Sequence, residues 1–71
     1  MTLQLGKYQH YKGKHYEVIG VAKHSESLEE LVVYKALYQN AEGNLWVRPL
    51  KMFMEMVVVD GKEVKRFEFV G

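Results

Sequence analysis

The stretch Val57-Val58-Val59-Asp60-Gly61-Lys62-Glu63-Val64 decides the fold class. An Asp-Gly pair between a β-branched run and an alternating one predicts a tight hairpin, because the two-residue turn that matches strand twist needs positive φ at both central residues. Asp tolerates that conformation and Gly adopts it without steric cost. A two-residue turn sets Val59 against Lys62, Val57 against Val64 and Glu55 against Arg66, so that opposite charges face each other across the pair.

Working outward, turn signals recur at Lys12-Gly13, Ser25–Glu30 and Asn40–Asn44. Tyr8–Val18 reads as a second hairpin around Gly13. If Lys12-Gly13 is its two-residue turn, His10 and His15 become cross-strand neighbours. Leu31–Tyr38 is rich in β-branched and aromatic residues and reads as a central strand rather than a short helix. Alternation sends Leu31, Val33 and Leu37 to one side of it and Val32, Tyr34 and Tyr38 to the other. Ser27-Leu28-Glu29-Glu30 has the capping-box spacing of a helical turn. Pro49 suits a first helical position and predicts a second turn over Leu50–Met54, whose methionines would fill a core edge.

Seventy-one residues, 48% of them hydrophobic, supply one core and one domain spanning 1–71. With no cysteine, neither disulfides nor thiolate zinc can hold it, and packing alone must do so. Short twisted strands with one or two helical turns predict an all-β fold: a small SH3-like, partly open barrel or a strongly curved antiparallel sheet. Ten basic against nine acidic residues give a net charge of +1 and no strong pull toward nucleic acid or an acidic membrane. The opening Met1–Gly6 lacks a signal-peptide pattern and no later segment has the length to span a bilayer, so a cytoplasmic protein without a membrane partner is expected, as a monomer or small homo-oligomer.

The blocks Gly6–Gly13, Tyr16–Glu26, Val32–Tyr38 and Trp46-Val47-Arg48-Pro49 with Met52-Phe53 resemble the small bacterial proteins grouped as domain of unknown function 1653. The similarity covers nearly the whole chain. It implies a stand-alone bacterial domain and brings no activity with it.

Candidate functional residues are few. His24-Ser25-Glu26 names a base, a nucleophile and an acid, yet adjacent side chains of an extended segment point to opposite faces, which argues against a triad. His24 and Glu26 can share a face and shape a polar pocket; the plainer reading is that this segment supplies turn and cap hydrogen bonds. The three histidines, His10, His15 and His24, form no dense ligand cluster, so no metal and no cofactor is expected.

Trp46-Val47-Arg48 carries the sharpest signal. If Leu45 and Val47 face the core, Trp46 and Arg48 form a surface pair able to stack on a planar group or a partner's side chain. Tyr34 and Tyr38, about 13 Å apart along one strand face, would extend that platform. The competing reading has Trp46 capping an open end of the barrel and Arg48 held by a carbonyl or by a carboxylate such as Glu26.

There is no phosphate loop, dinucleotide fingerprint or paired-carboxylate motif, and the sequence leans away from an enzyme. The leading expectation is a non-catalytic binding module presenting His24, Glu26, Tyr34, Tyr38, Trp46 and Arg48 to a protein or peptide partner. Alternatives are a single-stranded nucleic-acid binder, which near-neutral charge disfavours, and a small-molecule sensor or small enzyme using His24, Glu26 and Arg48.

Overall fold

In a computed structural model describing residues 3–39 and 43–71, the chain runs β1 (Gly6–His10), β2 (His15–Lys23), β3 (Glu30–Ala36), β4 (Leu45–Pro49), a single helical turn α1 (Leu50–Phe53), β5 (Met56–Val59), β6 (Lys62–Lys65) and β7 (Phe67–Phe69). Five strands form an antiparallel sheet in the order β4-β3-β2-β1-β7, and β5 and β6 form a separate two-stranded ribbon. The fold is therefore mainly β and is not a closed barrel.

The Asp-Gly hairpin forms in the register its residues dictate: Val59 opposes Lys62 and Val57 opposes Val64. Asp60 and Gly61 take φ of 51° and 78°, as the turn requires. Just beyond the ribbon, Arg66 donates to the Glu55 carboxylate at 2.8 Å. The chain then leaves the ribbon at Arg66 and enters the main sheet as β7, antiparallel to β1.

The first hairpin differs from the two-residue reading. Gln9, not His10, opposes His15, so the loop is longer; the His10 amide donates to the Lys14 carbonyl at 2.7 Å, and Gly13 holds the left-handed conformation at φ 107°. Because side chains alternate, His10 and His15 consequently point to opposite faces. The capping-box expectation at Ser27–Glu30 also fails. Leu28 sits at φ 62°, which no helix continues through, and Ser27 Oγ accepts from the Glu29 amide at 3.2 Å inside a turn that feeds directly into β3. Pro49 does precede a helical turn, with φ −52° and ψ 136° as its N-cap. The methionines around it, Met52, Met54 and Met56, are exposed rather than packed at a core edge. Of the Asn40–Asn44 turn, residues 40–42 lie outside the described part; the β3–β4 hairpin is closed by the Ala36 amide donating to the Asn44 carbonyl at 2.7 Å.

The larger correction concerns which face is inside. Directly opposed residues of antiparallel strands share a face, so the inner side is laid down in rows. Phe69, Tyr8, Tyr16 and Ala36 make one row, and Gly6, Val18, Tyr34 and Trp46 the next. Leu45 and Val47, inside on the reading that makes Trp46 and Arg48 a surface pair, are 63% and 61% exposed, and Leu37 is exposed as well. The sheet has only one covered face, and its cover is thin. α1 lays Leu50 and Phe53 over it, and long aromatic side chains are what can reach across to them. Phe53 stacks on Phe67 with centroids 4.2 Å apart and meets Tyr8 and Tyr34 edge-on at 5.4 and 5.6 Å.

Candidate functional site

Beyond this aromatic core, toward the β4 edge, the inner face opens into a cavity. Trp46 opposes Tyr34 across the β3–β4 pair and Arg48 opposes Val32, so both functional side chains are carried inward by the same alternation that buries their neighbours. A β-bulge between Val18 and Gly20 adds a residue to β2, which leaves Tyr16 and Val18 inward and the neighbouring Ile19 exposed. Tyr38 lies two residues past β3, and its hydroxyl stands 2.8 Å from that of Tyr16. Tyr16, Tyr34, Tyr38, Trp46 and Arg48 together line a space of about 240 Å³.

The walls are rigid on the tyrosine side. Tyr16 meets Tyr34 edge-on at 5.3 Å and Tyr38 edge-on at 5.5 Å, so each ring is fixed by the next. Lys14 Nζ lies 4.7 Å from the centre of the Tyr38 ring. On the other side Arg48 packs its guanidinium 5.8 Å from the Phe67 ring centre. That cation–π contact orients Arg48 without using its hydrogen-bonding capacity.

The donors here are not satisfied. Trp46 Nε1 and Arg48 Nε are both shut off from solvent, and among the described residues neither has a hydrogen-bond partner. Leaving such a donor unpaired costs roughly 1–3 kcal/mol. Arg66 is a useful contrast: its Nε is likewise unpaired, but its guanidinium holds Glu55. Among the described residues Arg48 has no carboxylate partner, Glu26 included.

The charge of Arg48 is felt by its neighbours. Burial, followed by the bonded Tyr38 hydroxyl, pushes the Tyr16 phenol well above its ordinary range, with Arg48 pulling weakly the other way. His10, whose ring lies 4.9 Å from Phe67, is lowered by burial first and then by the charges of Arg48, Arg66 and Lys12. The direction of that shift sets how stability varies with pH. The folded state holds the His10 proton less tightly than the unfolded chain does, so the contribution of His10 is complete above the unfolded value of 6.5 and is lost as pH falls through it toward the folded value. Urea midpoints are expected to drop between about pH 7.5 and about pH 5, and to drop less in His10→Gln. An equal drop in both proteins would remove His10 from the explanation.

The model of a family described as "Protein of unknown function (DUF1653)" matches residues 6–69. The chain belongs to this family. A crystal structure of a DUF1653 protein from Bordetella bronchiseptica has a TM-score of 0.93 at 38% identity, covering 97% of this chain and 88% of that one. No curated protein matches the chain. The resemblance carried by the sequence blocks is thus borne out, and with it the small all-β fold.

Within this DUF1653 fold the residues singled out from sequence divide into two groups. Tyr34, Tyr38, Trp46 and Arg48 meet in the cavity. His24 and Glu26 stand exposed in the turn between β2 and β3 and do not line it. His24 Nδ1 accepts from the amides of Glu26 at 3.1 Å and Ser27 at 3.4 Å, so its ring fastens the turn. Tyr16, which strand spacing alone presents as a core residue, stands opposite Ala36, one row from Tyr34, and forms a wall of the cavity. The one signal for it in the sequence is that Tyr16 falls in phase with Val18. Among the described residues no three of His, Asp and Glu gather in a metal-holding group, and no helix is long and apolar enough to cross a membrane.

Proposed function

We propose that this domain is a non-catalytic binding module that holds a protein or peptide partner through the Trp46–Arg48–tyrosine cavity. The observation that supports it is the pair of unpaired N–H donors, Trp46 Nε1 and Arg48 Nε, in the wall of an aromatic-lined space. A partner group that accepts from them, with Trp46 and Arg48 turning to expose the two donors, recovers hydrogen bonds that the free protein lacks. Trp and Arg in a half-buried pocket are also the residue types that dominate interface energetics. A platform for stacking single-stranded bases draws less support, because Tyr34 is only 6% exposed and offers no open ring face.

The test is a crosslinking pull-down from bacterial lysate with the wild-type domain and with folded Trp46→Phe and Arg48→Met variants, each with and without nuclease. Trp46→Phe keeps a ring while removing the indole donor, and Arg48→Met keeps an apolar stem while removing the guanidinium. A discrete protein that survives nuclease and is lost in both variants is the expected result. A catch that depends on nucleic acid, or one indifferent to both substitutions, would overturn the reading.

A further inference from the structure

The character of the cavity narrows what can enter it. Three kinds of group compete for an aromatic-lined pocket: a cation, a neutral apolar group and an anion. A cation is repelled by Arg48, which carries its charge without a carboxylate partner among the described residues. A purely apolar group would leave both Trp46 Nε1 and Arg48 Nε unpaired, so the deficit present in the free protein would persist. An acceptor-only anion meets both conditions, and a planar carboxylate matches the flat fork of a guanidinium better than a point acceptor does.

Supporting geometry comes from the remaining walls. Tyr16 and Tyr38 share one hydrogen bond between their hydroxyls, in which one oxygen donates and the other keeps a proton to give. A carboxylate therefore finds a hydroxyl donor beside the guanidinium, and the indole N–H once Trp46 turns to meet it. The half-buried Trp46 ring borders the space, and about 240 Å³ holds a carboxylate carrying a ring or a short side chain, not a folded segment.

We infer that the Tyr16–Tyr34–Tyr38–Trp46–Arg48 cavity is a carboxylate site that takes the acid group of a peptide. This rests on the cavity being the recognition site proposed above. Side-chain and C-terminal carboxylates present the same planar acceptor, and the experiment separates them.

The protein contains one tryptophan, so its indole N–H is a single, assignable NMR signal sitting in the cavity wall. Benzoate, acetate and the neutral isostere benzamide would be titrated while that signal is followed, then short peptides with free or amidated C-termini and with Asp/Glu or Asn/Gln within them. Benzoate is expected to move the indole signal saturably and to bind about 10- to 100-fold more tightly than benzamide, with Arg48→Met erasing the difference. Loss on amidation would assign the C-terminus, and loss on Asp/Glu replacement the side chain.

Benzamide binding as well as benzoate overturns the inference in the wild-type protein, whatever the variant does. Peptides that bind at the indole regardless of their acid groups overturn the inference and leave the module reading intact. Benzoate binding with no peptide bound upholds the carboxylate site and overturns the peptide partner.

Discussion

Phe53→Ala is expected to lower stability by about 3–5 kcal/mol, a large share of what holds a domain of this size folded. Phe53 is 1% exposed and stands at the crossing point of the aromatic core, stacked on Phe67 and edge-on to Tyr8 and Tyr34. It is the principal cover that α1 lays over the sheet, and a four-residue helix cannot shift far enough to refill the space. A domain of this length has few other contacts to draw on. Urea unfolding followed by circular dichroism would test this, with Phe53→Leu as the milder companion. A midpoint close to wild type for Phe53→Ala would mean that the ribbon or the Leu3 segment closes over the gap.

The second large effect is expected at Gly6. It begins β1 at φ 134°, a conformation closed to side chains, and a Cβ there would stand 3.0 Å from the Phe69 ring and 3.5 Å from the Gly71 backbone. Phe69 can turn aside only by giving up its edge-on contact with Tyr8 at 5.4 Å. Gly6→Val is therefore expected to cost about 2–4 kcal/mol, combining backbone strain with crowding, and to weaken the β1–β7 pairing first. Gly20 supplies the control. It has no positive φ, and a methyl group added there would meet nothing within 4 Å, so Gly20→Ala is expected to lie within about 1 kcal/mol of wild type, on the stabilising side. Hydrogen exchange at the Val70 amide, which donates to the Lys7 carbonyl, would report the local loosening in Gly6→Val.

What could be read from the residues was whatever local chemistry settles alone. Asp60-Gly61 fixed its turn, its register and the Glu55–Arg66 pair, because positive φ and charge pairing are short-range demands. Pro49 announced the helical turn for the same reason. The choice of inner face was not legible. β3 and β4 are apolar on both sides, and period-two alternation cannot say which side a distant cover will occupy. That decision belongs to α1 and to the partnership of Phe53 with Phe67, which no window around Leu45–Pro49 contains. Once the face is reversed, the Trp46–Arg48 pair changes from a surface platform into the wall of a cavity, and Tyr16 joins it. His24 shows the opposite limit: three residues in a row suggested chemistry, while the fold uses the ring to bind two backbone amides.

The pairing of β1 with β7 has a consequence for how this domain can be combined with others. Gly6 and Gly71 lie against one another, at the two ends of strands that run antiparallel. A graft cut to Gly6–Gly71 enters and leaves at neighbouring points, so it can be spliced into a surface loop of a host protein without forcing that loop apart. By the same geometry, joining Gly6 to Gly71 in such a graft through a short linker would restrict its unfolded chain, and new ends opened at the exposed Lys12-Gly13 turn would cut no sheet hydrogen bond of the β1–β2 ladder. The strand order thus makes this small sheet a portable insert.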